Sequence, residues 1–135
     1  MNTQRLMAID YGEKRIGIAL SDDKGMMAFP HSVIPRTKDF VSNLADVARQ
    51  NAVGLIIMGD SKNYAGERNP IMKGALECAE ALKSLGFRVE LELELLSSHQ
   101  ASHFQGKTAM TDAAAASIIL QSYIDRIKSN GTIKE

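Results

Sequence analysis

Leu6-Met7-Ala8-Ile9-Asp10-Tyr11-Gly12-Glu13-Lys14-Arg15-Ile16-Gly17-Ile18-Ala19-Leu20-Ser21-Asp22 sets two apolar runs on either side of a polar, glycine-containing turn. That pattern predicts a β-hairpin at the start of a sheet. Asp10 is out of character. It follows Met7, Ala8 and Ile9, a run apolar enough to be buried on both faces. Aspartate is depleted in strands and is almost never buried without a partner. A carboxylate there calls for a counter-charge, and a metal cation would serve. Gly12 and Gly17 carry no Cβ, so backbone or ligand can come close to it. The competing reading has Asp10 merely capping the turn at the end of its strand.

Working outward, the chain of 135 residues is long enough for one domain, 1–135, with a core that needs no staples. Sixteen basic and sixteen acidic residues cancel. No large single-sign field is therefore available to bind nucleic acid indiscriminately, and any polynucleotide must meet a local basic patch or a bound metal. The single cysteine, Cys78, excludes an internal disulfide and a cysteine metal cluster. Its neighbours Leu76, Ala79 and Leu82 mark it as a core residue. No stretch approaches the ~18 apolar residues of a membrane span, and the N-terminus lacks a signal-peptide pattern. A soluble cytoplasmic protein without membrane partners is the expectation.

After the hairpin, Met26 to Ile34 reads as a third strand, irregular or at an edge because of Pro30. Thr37 is placed to cap a helix reaching about Gln50, with a stripe of Phe40, Val41, Leu44, Val47 and Ala48. Val53 to Met58 is a nearly unbroken apolar run, the mark of a central parallel strand, and Gly59 to Arg68 reads as a loop. Asn69-Pro70 then opens a second helix that Gly86 stops. From Phe87 to Leu95 apolar residues alternate with Arg88, Glu90, Glu92 and Glu94, a period-two strand at least half buried. Ser97 to Phe104 suggests one or two helical turns, and Gly106-Lys107-Thr108 a loop. A last helix from Thr111 to about Lys128 is expected to bury Ala116, Ile119, Leu120, Tyr123 and Ile127, before a loose polar tail. A hairpin followed by alternating helix and strand predicts an α/β sheet of mixed strand directions.

Three carboxylates then stand at the ends of elements that belong to one sheet or pack on it. Asp10 ends the first strand, Glu94 nears the end of the last, and Asp112 opens the final helix. Three converging acids repel one another unless divalent cations lie between them. Hard oxygen ligands without cysteine favour magnesium or manganese. Each has a plainer alternative: Asp112 suits the helix dipole, and Glu94 continues a solvated series with Glu90 and Glu92. Spacing alone does not decide convergence.

The stretch from Ala8 to Asp22 closely resembles the signature of the YqgF/RuvX family, small bacterial proteins described as Holliday junction resolvases and pre-16S rRNA processing nucleases. Val53 to Gly59 resembles the family's central strand ending in glycine. Leu96-Ser97-Ser98 with Ala101 is similar to its Leu-Thr-Thr/Ser segment, and Asp112 to Ala116 with Ile119 to Tyr123 to its closing helix. The resemblance implies an RNase H-like fold, a mixed central sheet of about five strands with helices on both faces. It also implies a catalytic, metal-binding triad of Asp10, Glu94 and Asp112. Two departures stand out. The usual Asp-Glu-Arg is here Leu93-Glu94-Leu95, which removes a bidentate phosphate contact. The usual Leu-Pro after the central glycine is here Asp60-Ser61-Lys62-Asn63.

Lys14, Arg15, Lys62, Arg68 and Lys107 are the candidate nucleic-acid-binding residues, with the solvated-turn reading open for Lys14 and Arg15. His99 and His103 have the i, i+4 spacing of zinc ligands on a helix, but no third ligand accompanies them. The expected function is a magnesium- or manganese-dependent endonuclease acting on structured nucleic acid, pre-16S rRNA at its 5′ end or a Holliday junction. A resolvase would work as a homodimer. The alternatives are a non-catalytic nucleic-acid or ribosome-associated module, and a nucleotide-binding fold of the actin/sugar-kinase type. That last fold needs two lobes, more than this chain supplies.

Overall fold

A computed structural model describes residues 4–61, 71–94 and 109–134. The described elements are β1 (Arg5–Tyr11), β2 (Arg15–Ser21), β3 (Ala28–Pro35), α1 (Phe40–Gln50), β4 (Val53–Ser61), α2 (Met72–Ser84), β5 (Val89–Glu94) and α3 (Ala109–Lys134). The strands form one sheet of five, in the order β3-β2-β1-β4-β5. β1, β2 and β3 are an antiparallel meander, whereas β4 runs parallel to β1 and β5 parallel to β4. β1 is thus the central strand, and Met7, Ala8 and Ile9 are wholly buried in it.

Strand alternation sorts side chains between two cores. Met7, Ile9 and Tyr11 of β1, with Ile16 and Ile18 of β2, pack against Leu44 of α1 and Ala75 and Leu82 of α2. Leu6 and Ala8, with Ala19, Leu55 and Ile57, meet Ala116, Ile119, Leu120 and Tyr123 of α3. Helices therefore cover both faces, α1 and α2 on one and α3 on the other.

Several boundaries differ from the sequence expectation for local reasons. α1 starts at Phe40 with Asp39, not Thr37, at its N-cap. β4 runs on to Ser61 because Gly59, Asp60 and Ser61 pair with Glu92, Leu93 and Glu94 of β5, and the ladder outweighs their polarity. α3 continues to Lys134, beyond the expected stop near Lys128, and leaves Ile127 exposed. β5 also turns over the simple alternation argument: Leu91 is exposed and Glu92 is buried. The acidic face of that strand lies against polar residues of α3.

Candidate active site

Asp10 lies directly across the β1–β2 ladder from Gly17. Cα atoms so paired stand about 4.5–5.5 Å apart, with their side-chain directions on the same face. That face is the one Leu6 and Ala8 present to α3. The helix reaches it at Gly17. A Cβ built on Gly17 would collide with the backbone oxygen of Asp112 and lie 2.5 Å from its carbonyl carbon and 3.1 Å from the nitrogen of Ala113. The first turn of α3 therefore rests on β2 where glycine leaves room. Small side chains at Ala113, Ala115 and Ala116, all buried, let the helix lie this close to the sheet. Asp10 and Asp112, 102 positions apart in sequence, are brought to one patch.

Asp112 is only 5% exposed and sits in the first helical turn, where the dipole favours an anion. Arg15, the first residue of β2, donates from Nε to its Oδ2 at 2.7 Å. This is a charge-assisted bond that orients the carboxylate and offsets its charge. Of the basic residues expected to grip phosphate, Arg15 is thus engaged with an acid of the site. Lys14 is exposed in the β1–β2 turn. Lys62, Arg68 and Lys107 lie outside the described residues, as do His99 and His103.

Glu94 is the last residue of β5, paired with Ser61 of β4. Since β1, β4 and β5 are parallel, Asp10 and Glu94 stand at the same, C-terminal, edge of the sheet, two strands or about 10 Å apart. For Glu94 the description extends to the backbone. Among the described residues, no group of three His, Cys, Asp or Glu is placed to hold a metal. The described acids at this patch are Asp10 and Asp112, a pair of hard oxygen donors of the kind that suits magnesium or manganese.

Two residues without a role in the sequence reading belong to this edge. Arg36, which there only follows the end of a strand, reaches back over the hairpin turn. Its Nη1 donates to the Tyr11 hydroxyl at 2.5 Å, its Nε to the Glu13 carbonyl at 2.8 Å, and its backbone N–H to the Lys14 carbonyl at 3.0 Å. Those bonds hold the turn from which Arg15 projects. Asp60 is buried near the C-terminal end of β4. Alternation puts it with Ile56 and Met58 on the α1/α2 face, opposite to Asp10. An acid directly after an apolar run was its only sequence signal.

Solved structures share this architecture. Thermus thermophilus RuvC in complex with Holliday junction substrate superposes with a TM-score of 0.57 at 13% identity, covering 93% of this chain and 96% of that one. Fowlpox virus resolvase with Holliday junction DNA gives 0.58 at 11% identity, covering 92% and 99%. At such identities the likeness speaks for the fold, and the fold is RNase H-like. Sequence comparison is narrower: the profile described as "RuvX: Holliday junction resolvase" matches residues 4–126, and the chain belongs to that family. It is accordingly a nuclease, a hydrolase of phosphodiester bonds in nucleic acid. Relatives named "Putative pre-16S rRNA nuclease" include one from Chloroflexus aurantiacus, 32% identical over 96% of this chain and 92% of its own length. Another, from Syntrophomonas wolfei, is 35% identical over 90% and 94%. No helix among the described residues is long and apolar enough to cross a membrane.

Proposed function

We propose that the chain is a magnesium- or manganese-dependent endonuclease in which Asp10, Glu94 and Asp112 together form the catalytic and metal-holding set. The observation that carries this reading is the seating of the first turn of α3 on Gly17, directly across from Asp10. It draws residues from the two ends of the chain, in keeping with a single domain over 1–135. A bound divalent ion would supply an activated water and offset the charge developing on the scissile phosphate. The protein's own contribution is orientation. β1 holds Asp10 rigidly in the sheet, and Arg15 fixes the Asp112 carboxylate. The Lys14 ammonium stands in the adjoining turn, where a phosphate backbone can meet it.

The substrate that the relatives' names favour is the 5′ end of pre-16S rRNA in the cytoplasm. The family description supports a branched DNA junction as the other candidate, which would require a homodimer to cut two strands. End-labelled precursor rRNA and a four-way DNA junction, each incubated with magnesium or manganese, separate the two. Wild type should cut one of them, and Asp10→Asn, Glu94→Gln and Asp112→Asn should each lose at least 100-fold. Cutting by all three variants at the wild-type rate refutes the assignment. Binding of RNA without metal-dependent cleavage by the wild type would instead mark a non-catalytic module, the reading that the Leu93 and Leu95 flanks of Glu94 favour.

A further inference from the structure

Glu92 is 7% exposed although β5 is the edge strand of the sheet. Its Oε1 accepts from Arg126 Nη2 at 2.6 Å and its Oε2 from Ser122 Oγ at 3.2 Å, both donors on α3. One strand repeat earlier, Glu90 Oε1 accepts from the Tyr123 hydroxyl at 3.1 Å. The Arg126 guanidinium lies 5.2 Å over the Tyr123 ring. Burial, together with the Glu90 charge, raises the Tyr123 pKa and keeps the hydroxyl a donor. The Glu92 hydrogen bond raises that of Arg126. An edge strand is held here by carboxylates rather than by apolar side chains.

That choice bears on register. Hydrophobic burial specifies the register of a strand only where one face is distinctly apolar and covered. β5 offers little of this, since Leu91 is exposed and the α3-facing positions are glutamates. A buried ion pair with full hydrogen bonding contributes little net stability against an apolar substitute, and its best-attested use is to fix register. A slide of β5 by two residues would preserve its faces and replace Glu92 by another glutamate, yet carry its C-terminus nearly 7 Å along the sheet.

We infer that the Glu92–Ser122–Arg126 clamp is a register lock that sets β5 on α3 so that Glu94 arrives at the edge occupied by Asp10. Arg126 is then a positioning residue acting through Glu92. The inference rests on the assignment of Glu94 to the site. Its test uses the full chain and three variants, Arg126→Met, Arg126→Lys and Glu94→Gln, with manganese affinity by calorimetry, kcat and KM for cleavage, and amide exchange along β5. Arg126→Met should keep its helical circular dichroism and its KM. It should exchange β5 amides faster, bind manganese about tenfold more weakly and lose at least tenfold in kcat, as residues that orient metal ligands do. Arg126→Lys keeps the charge and should recover most of the loss. Wild-type exchange along β5 in Arg126→Met overturns the lock. So do wild-type kcat and manganese affinity in that variant while Glu94→Gln loses both. Should Glu94→Gln itself cut normally, the site assignment fails, and the exchange measurement still decides whether the clamp holds β5. If Arg126→Met does not fold, Arg126→Lys and Ser122→Ala carry the same readouts, and wild-type exchange in Ser122→Ala with wild-type kcat refutes the lock.

Discussion

Gly17→Ala is the smallest change that reaches the proposed site, and its effect can be worked from the geometry. The added methyl would sit 2.5 Å from the carbonyl carbon of Asp112, about 1 Å inside ordinary carbon–carbon contact. The obstacle is helix backbone and strand backbone, so no rotamer change relieves it. Overpacking of this kind costs about 1–3 kcal/mol. Replacing a glycine in a strand returns about 0.5–1 kcal/mol through the lower entropy of the unfolded chain. The balance is a destabilisation of about 1–2 kcal/mol, equivalent to a fall of roughly 3–10 °C in Tm for a domain of this size. The catalytic effect should be larger than the effect on stability. Relief requires the first turn of α3 to lift off β2 by about 1 Å, which carries Asp112 away from Asp10, and a misplacement of that size costs about 100-fold in rate. Urea denaturation and metal-dependent cleavage of the same preparation test both parts. Ile118→Ala, on the exposed side of α3, serves as the control that should change neither. A Gly17→Ala variant as stable and as active as wild type would refute the seating of α3 on Gly17 as the device that joins the two aspartates.

Asp112→Asn should separate charge from fold: the amide oxygen still accepts from Arg15 Nε, so urea stability should stay within about 1 kcal/mol while cleavage is lost. Asp112→Ala, measured alongside, should cost about 1–3 kcal/mol more because it removes the acceptor altogether. Arg36→Ala removes two side-chain hydrogen bonds and the cation–π contact with Tyr11, and should destabilise the protein by about 1–3 kcal/mol in urea titration. Burial pushes the Cys78 thiol up to about 12, so it should resist a thiol reagent at pH 8 until the protein unfolds. The sign of the linked pH effect follows from the same shift. The thiol's contribution is intact below its ordinary value of 9.0 and is lost as pH rises toward about 12, because the unfolded chain ionises first. Between pH 9 and 10 the urea midpoint of wild type should therefore fall more than that of Cys78→Ala, by up to about 1 kcal/mol in stability.

How much of this was legible along the chain depends on whether the information is local. The hairpin from Leu6 to Asp22, the apolar run at Val53 to Met58 and the stripe in the final helix are patterns of neighbouring residues, and burial periodicity reads them directly. Asp10 was legible for the same reason, as a charge at the end of an apolar run. Partnerships across long sequence separations were not. That Asp112 lies over Gly17, that Arg15 is held by Asp112, and that Arg36 braces the first turn all follow from where α3 and β3 come to rest. The series Glu90, Glu92 and Glu94 shows the limit most clearly. Alternation correctly announced a strand, yet the face that alternation marks as solvent-facing contains the buried Glu92. A carboxylate is buried or solvated according to the cation opposite it, and Arg126 lies 34 positions along the chain. Periodicity assigned residues to faces; the packing of α3 decided which face each strand position presents to protein and which to water.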